Sequence, residues 1–419
     1  MPDQPLVLGI DLGTSGVRAI AIDHDFVIHG QGRTQIETTA RRTADCLWDA
    51  VLGALEALCK QIDPRRVVAI SVDGTSGTLI PTNKSGHPLG PASLYNDRAT
   101  TAAIAKVTAM APADSAAHGA SSPLARMLDL TTTPGLGFFL HEADWITYRL
   151  GAPLGLSDAN NALKSGYDPI NSCWPDWLTA LDMDLTLLPQ VVAPGTPIGT
   201  LSPDIAAHFG FPGNTKLIAG TTDGCASFLA TGAHVTGDGV TTLGSTLTIK
   251  LLSDHPVVSP AHGIYSHYVM GLFVPGGASN AGAAVLAHFF TPEQITALSS
   301  RIDPSKDSGL DYYPLPAPGE RFPVNDPTLA PRLTPRPKDD ALFLHGMLEA
   351  LARIEANAYQ RLATLGAPQV QRILTVGGGA ANPVWTALRA RIIGVPVITA
   401  PCTEAAAGVA RLALAGIKL

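Results

Sequence analysis

The amino-acid sequence predicts an α/β protein with two similar halves. Short apolar segments, typical of buried strands, alternate with segments whose apolar residues recur every three or four positions, as on one face of a helix. The chain has 419 residues, and one domain usually has roughly 100–200, so two or three domains are expected. A strand–turn–strand pattern near the N-terminus returns near Gly237, which predicts a boundary between the halves at residues 232–237.

The first half begins with a predicted β-hairpin. Residues 6–10 form an apolar run, a glycine-containing turn follows, and residues 17–22, which are apolar apart from Arg18, predict a second strand. Residues 45–59 predict a helix, because their larger apolar side chains lie three or four positions apart. Residues 67–72 predict another buried strand.

The second half begins with a hairpin that echoes the first. Its strands are predicted at residues 239–242 and 246–251, around a Leu-Gly-Ser turn. Coincidence is the alternative to duplication, because this turn sequence is common. The sequence then predicts a proline-rich surface loop or extended segment, an amphipathic helix, a strand and an alanine-rich last helix, at residues 314–337, 343–358, 372–376 and 404–414.

Composition excludes several classes of protein. Hydrophobic residues make up 46% of the chain and charged residues 15%, against a usual charged fraction of about 25%, so the chain is globular and not disordered. A net charge of −7 argues against general binding to nucleic acid or to an anionic membrane surface. No apolar run approaches the roughly 18–20 residues of a membrane span.

The N-terminus and the cysteines predict a cytoplasmic protein. The first five residues lack the basic and apolar regions of a signal peptide. The five cysteines are scattered, form no CxxC pair and have no zinc-ligand spacing. We therefore expect five reduced thiols and no structural zinc.

A polar turn between the first two strands is a candidate phosphate site. It runs from Asp11 through Gly13, Thr14 and Ser15 to Gly16. Glycines let a backbone approach a phosphate, successive N–H groups can bind an anion, and the two hydroxyls add donors. Asp11, at the strand end, is placed to hold Mg²⁺ directly or through water. The alternative is a plain hairpin, and neither a Walker motif nor a GxGxxG motif follows the first strand.

A second candidate is Asp223, which follows an apolar strand that runs into Gly220. A carboxylate at such a strand end could accept a proton from a substrate hydroxyl. The alternative is that Asp223 caps a helix beginning at Gly224, because aspartate is a preferred N-cap residue. The segment taken alone leaves both interpretations open.

Two further loops are candidate ligand sites. Gly377 and Gly378 begin a run of three glycines after a strand, and Asn382 can cap a helix that starts with a proline. The alternative there is a tight strand-to-helix turn. Residues 71–78 are dense in small hydrogen-bonding groups, which suits a polyhydroxylated substrate, although a polar turn explains them equally well. Residues 95–98 are either a side wall of that site or a surface loop.

Taken in order, these segments resemble the FGGY family of carbohydrate kinases, and the resemblance extends from residue 6 to about residue 415. The matching segments are the family's two phosphate loops, its catalytic-aspartate segment, a glycine-rich segment, a Pro/Gly-Glu-Arg-x-Pro segment and the nucleotide-binding segment, at residues 11–16, 242–246, 219–226, 276–282, 315–323 and 376–385. Each motif alone is moderately specific, whereas all of them in order are highly specific.

The resemblance implies an architecture of two RNase H-like domains, as in the actin and hexokinase superfamily, around a central cleft. The N-terminal domain would comprise residues 1–232, with the C-terminal helix at 404–419 as a candidate addition, and the C-terminal domain residues 233–403. ATP and Mg²⁺ would be the cofactors, with ATP mainly against the second domain and the sugar against the first. The protein would be a monomer or a homodimer.

The resemblance also assigns roles by matching position. Asp223 becomes the general base for the attacking hydroxyl, and Asp11 the carboxylate associated with Mg²⁺. Thr14, with the backbone at Gly13 and Ser15, would meet the transferring phosphate. Gly244, Ser245 and Thr246 would contact the nucleotide phosphates, and Gly377, Gly378 and Asn382 the adenosine. The sugar would be contacted by Gly74, Thr75 and Ser76, together with Asp11 and Asp223.

Departures from the family pattern favour a ketopentose as the substrate. Xylulokinases usually carry Gly-Gln-Met-His-Gly after the strand that ends near Val72, and glycerol kinases carry Asn-Gln-Arg-Glu-Thr. This chain carries Gly-Thr-Ser-Gly-Thr at residues 74–78, which is more similar to ribulokinases, in particular to compact D-ribulokinases. D-ribulose, phosphorylated at its terminal hydroxyl, is therefore expected, with D-xylulose, L-ribulose or a pentitol such as ribitol as alternatives.

Two interpretations from other classes stay open. Actin-like and chaperone ATPases of the superfamily hydrolyse ATP without a sugar, but the sugar-side loop and Asp223 argue against that. A sugar-binding pseudokinase would bind without turnover, and the presence of Asp11, Thr14 and Asp223 argues against it.

Overall fold

The computed structural model of the protein describes residues 4–36 and 43–417. The chain divides into two compact units. The first unit contains the chain up to Ala230, the short segment His267–Gly271 and the chain from Cys402 onward, and the second unit contains Thr231–Ser266 and Leu272–Pro401. Two sheet-containing units of mixed strand and helix confirm the predicted α/β class.

The first unit contains ten strands and seven helices among the described residues before Ala230. In chain order they are β1 (Leu6–Gly13), β2 (Gly16–Ile22), β3 (Ile28–Gln35), α1 (Ala44–Cys59), β4 (Val67–Gly74), β5 (Leu79–Thr82), α2 (Thr101–Met110), α3 (Pro123–Leu130), β6 (Phe138–His141), α4 (Glu142–Leu150), β7 (Leu156–Asp158), α5 (Ala159–Leu163), β8 (Gln190–Val192), β9 (Pro197–Thr200), α6 (Pro203–Phe209), β10 (Lys216–Thr222) and α7 (Asp223–Ala230).

Most of the elements that follow build the second unit, whereas the end of β13 and the last helix belong to the first. They are β11 (Asp238–Leu243), β12 (Leu247–Leu251), β13 (Tyr265–Val269), β14 (Leu272–Ser279), α8 (Ala283–Phe289), α9 (Pro292–Ser299), α10 (Asp340–Thr364), β15 (Arg372–Val376), α11 (Pro383–Ile393), β16 (Val397–Thr399) and α12 (Ala405–Ile417). Among all described residues, no helix combines the length and the apolar character needed to cross a bilayer.

The main sheet of the first unit has the strand order β3-β2-β1-β4-β10-β9. Strands β1, β2 and β3 are antiparallel neighbours, whereas β1, β4 and β10 run parallel. Alternate residues of β1 serve different cores: Leu8 and Ile10 pack in the cluster that contains the apolar face of α1, and Val7 packs with the alanines of α12. A Cβ on Gly9 would overlap the carbonyl oxygen of Ala406, so a glycine there lets α12 lie directly on the sheet.

The sheet of the second unit has the order β13-β14-β12-β11-β15-β16. Strands β14, β12 and β11 are antiparallel neighbours, and β11, β15 and β16 run parallel. Three antiparallel strands followed by two parallel ones therefore occur in both units. This repetition agrees with the prediction of two similar halves, and both predicted hairpins are confirmed as β1–β2 and β11–β12.

The proline-rich segment at 314–337 differs from a simple surface loop. It contains no regular strand or helix, as expected, but its middle is buried: Leu315, Glu320 and Phe322 are 3%, 2% and 0% exposed. Phe322 lies under β14, where a Cβ on Gly277 would approach its ring to 2.7 Å. Prolines predict the extended backbone, but they do not reveal that the apolar Leu315 and Phe322 and the acidic Glu320 are buried.

The division of the chain also differs in detail from residues 1–232 and 233–403. The short segment His267–Gly271 belongs to the first unit. The side chain of Asn160 explains this, because it accepts a hydrogen bond from the backbone N–H of Tyr268 (2.8 Å) and donates one to the Tyr268 carbonyl (2.7 Å). The C-terminal helix α12 likewise belongs to the first unit.

Candidate active site

Two buried carboxylates lie side by side at the ends of parallel strands in the first unit. Asp11 of β1 is the register partner of Asp73 of β4, and Asp73 is in turn the partner of Thr221 in β10. Asp223 follows β10 directly as the first residue of α7. Because β1, β4 and β10 are parallel, their carboxyl ends meet at one edge of the sheet. This edge is where ligands bind in open α/β sheets.

Burial and mutual repulsion shape the charge at this edge. Burial raises the pKa of Asp11, and the carboxylate of Asp223 adds to the rise while the Arg18 guanidinium opposes it. Burial also raises the pKa of Asp73 well above its usual value, and the charges of Asp11, Asp223 and Glu142 add to that rise. Asp73 has no exposed surface, and a hydrogen bond between the two side chains lowers the pKa of Asp11 and raises that of Asp73. A ligand cation at this edge would relieve the repulsion.

Asp223 is half-buried, and its Oδ1 accepts a hydrogen bond from the N–H of Gly224 at 2.7 Å. Because α7 begins at Asp223 itself, its carboxylate lies both in the first turn of the helix and at the end of β10. Its roles as helix cap and as base stay predictions.

The tip of the β1–β2 hairpin is exposed, unlike the strands that lead to it. Thr14 and Ser15 are both exposed at the turn, and Gly13 pairs across the hairpin with Gly16. The two hydroxyls and the turn backbone are therefore accessible a few residues from Asp11. This accessibility is what a phosphate contact requires.

The sugar-side loop at residues 74–78 is held by a residue that the sequence did not single out. Glu142, at the start of α4, accepts hydrogen bonds on Oε1 from the N–H (2.8 Å) and the hydroxyl (2.5 Å) of Thr75. A Cβ on Gly74 would lie 2.9 Å from the Cγ of Glu142, so the small residue makes room for this contact. Thr75 is therefore buried and bonded within the protein, and its contact with a sugar stays a prediction.

A second support of the loop comes from Arg126 in α3. This buried guanidinium donates to the carbonyl of Gly77 at 2.5 Å and to the carbonyl and hydroxyl of Ser93 at 2.9 and 2.8 Å. The N–H of Tyr95 donates to the hydroxyl of Thr78, which places the 95–98 segment beside the loop. Ser76 is different, because its hydroxyl has no hydrogen-bond partner among the described residues.

In the second unit, a polar turn and a glycine loop lie at neighbouring strand ends. Gly244, Ser245 and Thr246 connect β11 to β12, and Gly377 follows β15, which runs parallel to β11. Gly377 has φ 89°, and a Cβ on it would lie 2.6 Å from the carbonyl oxygen of Leu243. A residue other than glycine would be strained there by its backbone conformation and by this close approach.

Gly378 and Asn382, which are also predicted to contact the adenosine, differ in how far they are free to do so. A Cβ on Gly378 would meet no atom within 4 Å, so this backbone is open to a ligand. The side chain of Asn382 is instead engaged: its Oδ1 accepts from the N–H groups of Val384 and Trp385 at 3.1 Å, and its Nδ2 donates to Ser299. The predicted cap of α11 is confirmed. Asn382 therefore shapes the start of α11 rather than offering a free amide.

The structure thus brings the site residues together in two groups. Asp11, Thr14, Asp223 and the loop at 74–76 lie in the first unit, and residues 244–246, 377–378 and 382 lie in the second. Glu142 and Arg126 are additions that sequence reasoning missed. They contact the loop across 67 and 49 residues of sequence, and no local pattern marks such pairs.

Comparison with known proteins identifies the family. The N-terminal domain of the FGGY family of carbohydrate kinases matches residues 6–120, and its C-terminal domain matches residues 239–417. A xylulose kinase of Streptomyces coelicolor is 26% identical over 94% of this chain and 84% of that protein. A glycerol kinase of Aromatoleum aromaticum is 26% identical over 99% of this chain and 90% of that protein.

Solved structures agree with this assignment at the level of the fold. A xylulose kinase from Rhodospirillum rubrum superposes with a TM-score of 0.83 at 20% identity, covering 98% of this chain and 90% of that one. A gluconate kinase from Lactobacillus acidophilus superposes with a TM-score of 0.82 at 18% identity, covering 99% and 90%. The fold is therefore of the actin and hexokinase type, and the chain belongs to the FGGY family of carbohydrate kinases.

Proposed function

We propose that the protein transfers the γ-phosphate of Mg²⁺-ATP to the terminal hydroxyl of a ketopentose, with D-ribulose as the first candidate and D-ribulose 5-phosphate as its product. One observation carries the proposal: Asp11 and Asp223 lie at the same edge of one sheet, at the ends of parallel strands. A sugar kinase needs a carboxylate to accept a proton and another to place a cation.

Asp223 is the proposed general base. As the sugar hydroxyl oxygen forms its bond to the γ-phosphorus, its proton passes to the Asp223 carboxylate, and the bond between the γ-phosphorus and the bridging oxygen breaks to release ADP. The hydrogen bond from Gly224 fixes the carboxylate in orientation. A base assists because a sugar hydroxyl is a poor nucleophile at neutral pH.

Asp11 is the proposed carboxylate for Mg²⁺. Magnesium is usually bound by one or two carboxylates together with substrate phosphates and water. Among the described residues, no group of three or more His, Cys, Asp and Glu side chains could hold a metal by itself. One carboxylate at the sheet edge, completed by ATP oxygens and water, fits this chemistry. When bound, the cation neutralises charge on the phosphates.

The nucleotide contacts are proposed for the second unit. The exposed Ser245 and the half-buried Gly244 and Thr246 offer hydroxyl and backbone donors to the ATP phosphates. Gly378 leaves an open backbone for the adenosine, and Gly377 shapes the loop by packing against the Leu243 carbonyl. Asn382 contributes by fixing the start of α11. Thr14, with the backbone at Gly13 and Ser15, is the proposed contact of the transferring phosphate.

The sugar contacts are proposed for the loop at 74–76, with Ser76 as the main hydroxyl. Thr75 supports the loop through Glu142, and Gly74 provides the space for that support. The small side chains leave room for an open-chain sugar with several hydroxyls. Named relatives include xylulose kinases, glycerol kinases and a gluconokinase. D-xylulose is therefore the first alternative, followed by L-ribulose and a pentitol.

We also propose a cytoplasmic enzyme that acts as a monomer or homodimer. The five cysteines, all of which lie in the described part of the chain, are free thiols. Free thiols are typical of a reducing compartment.

The test is ADP release from Mg²⁺-ATP by the wild-type protein with D-ribulose, D-xylulose, L-ribulose, ribitol, glycerol, gluconate or no sugar. We expect the highest kcat/KM with D-ribulose and a rate without sugar that is smaller by orders of magnitude. A higher kcat/KM with another sugar would make that sugar the substrate and leave the assignment as a kinase unchanged. A rate independent of every sugar would favour an ATPase, and binding of sugar without any ADP release would favour a pseudokinase.

A further inference from the structure

A buried carboxylate in the proline-rich segment holds the backbone beside the turn at 244–246. Glu320 is 2% exposed. Its Oε2 accepts from the hydroxyls of Ser279 (2.6 Å) and Tyr313 (3.1 Å), and its Oε1 accepts from the N–H groups of Asn280 (2.7 Å) and Arg321 (2.9 Å). Four donors on one buried carboxylate fix both its position and theirs.

The contacts of Glu320 continue into the segment that follows β14. The hydroxyl of Ser279, which donates to Glu320, accepts the N–H of Ala281 at 3.0 Å. The side chain of Asn280 donates to the carbonyl of Gly319 at 3.0 Å. Residues 279–280 therefore donate three hydrogen bonds, from side chains and backbone, to residues 319–320 of the proline-rich segment.

This segment in turn lies directly against the phosphate turn. The N–H groups of Ala283 and Ala284 donate to the carbonyls of Gly244 (2.9 Å) and Ser245 (3.2 Å), and the N–H of Leu247 donates to the carbonyl of Ala281 (2.8 Å). A Cβ on Gly282 would overlap the carbonyl oxygen of Ser245. The carbonyls of Gly244 and Ser245 are thus bonded to residues 283–284, and the N–H of Gly244 donates to the carbonyl of Thr246 at 3.3 Å. The exposed Ser245 is left accessible to a ligand.

We infer that Glu320 is a positioning residue for the nucleotide: through Ser279 and Asn280 it fixes residues 281–284, and these fix the turn at 244–246 that binds the ATP phosphates. The inference rests on the proposed function of that turn. Glu320 does not touch ATP and supplies no proton. Its effect is to hold the turn's carbonyls away from the phosphates, where their partial negative charge would oppose binding.

The test compares two buried glutamates of the second unit. Glu320→Ala removes the carboxylate that accepts hydrogen bonds from Ser279 and Asn280. Glu349→Ala is the matched control, because Glu349 is 1% exposed and accepts hydrogen bonds from Ser308 and Arg391, away from the turn. Calorimetry measures the Kd for ATP without sugar, and kinetics measure KM for ATP and for the sugar. Both variants are assayed well below their unfolding temperatures.

We expect Glu320→Ala to raise the Kd and KM for ATP about tenfold, by loss of buried hydrogen bonds, while KM for the sugar stays within about twofold. Glu349→Ala should lower stability and leave the Kd for ATP unchanged. Glu320→Gln should restore most of the affinity, because one oxygen can keep both backbone N–H bonds while the hydroxyls of Ser279 and Tyr313 accept from the amide.

Equal ATP affinities of the wild type, Glu320→Ala and Glu349→Ala would overturn the inference and leave the proposed kinase intact. Failure of the wild type to bind ATP would overturn the kinase proposal itself, together with this role. If Glu320→Ala does not fold, Ser279→Ala takes its place, because it breaks the same connection between Glu320 and the N–H of Ala281.

Discussion

The two units place different chemistry on the same strand arrangement. In the first, β1 ends in Asp11-Leu12-Gly13 and Asp11 pairs with Asp73 of the parallel neighbour. In the second, β11 ends in Thr242-Leu243, with Gly244 next in the turn, and Thr242 pairs with Val376 of its parallel neighbour. The two positions that carry carboxylates in the first unit therefore carry uncharged side chains in the second.

This difference matches the two halves of the proposed reaction. Acceptance of a proton and placement of a cation need carboxylates, and the first unit supplies Asp11 and Asp223. A polyphosphate needs hydroxyl and N–H donors and would be repelled by a carboxylate, and the second unit supplies a neutral turn. The same type of hairpin can therefore serve cation placement or phosphate binding. The residue that precedes the Leu-Gly sequence, Asp11 or Thr242, decides between them.

The largest effect on this comparison is expected from Asp11→Asn, which removes the carboxylate and keeps the shape. We expect kcat to fall by at least about 100-fold, since the cation's stabilisation of the phosphates is worth several kcal/mol. The Mg²⁺ concentration for half-maximal rate should rise as well. The measurement is the rate as a function of Mg²⁺ at saturating ATP and sugar. An unchanged Mg²⁺ dependence would remove Asp11 from the cation site.

A smaller effect is expected when a carboxylate is introduced into the second unit. Thr242→Asp should raise KM for ATP about tenfold by repulsion of the phosphates, with KM for the sugar unchanged. Thr242→Asn is the control, because it has the same shape without the charge. The effect of the aspartate should shrink in high salt. Equal KM values for the two variants would contradict the proposed reason for a neutral turn.

The smallest effect concerns the support of the sugar-side loop. Glu142→Ala leaves the buried N–H of Thr75 without its acceptor, so KM for the sugar should rise about fivefold while KM for ATP stays constant. Glu142→Gln should restore most of the affinity, because its amide oxygen can still accept from Thr75. Steady-state kinetics of both variants check this. A rise in KM for ATP equal to that for the sugar would indicate instead that the substitution disturbs more of the protein than the sugar-side loop.

The sequence predicts those parts of the site that depend on local chemistry. Asp11 and Asp223 stand next to apolar strands, so their place at a sheet edge follows from residues nearby. The cap at Asn382 follows from the proline after it, and the structure confirms it. The two hairpins are confirmed for the same reason, because each strand and its partner are separated by only a turn.

The parts that the sequence does not predict depend on distant pairing. Glu142 looks like an ordinary residue in the first turn of a helix, and only the fold brings it to Thr75. Glu320 lies among prolines that predict exposure, and its burial follows from the donors at Ser279 and Asn280, about 40 residues earlier in the chain. Asp73 gained importance only when the register paired it with Asp11.

Asp223→Asn tests the central claim most directly. The experiment measures kcat for the sugar that the wild type prefers and, by calorimetry, the Kd for that sugar. We predict that kcat falls by about 10²–10⁴-fold, because the base acts in the transition state, while the Kd changes by less than about tenfold. A variant that keeps the wild-type kcat would contradict Asp223 as the base and, with it, the division of labour between the two units.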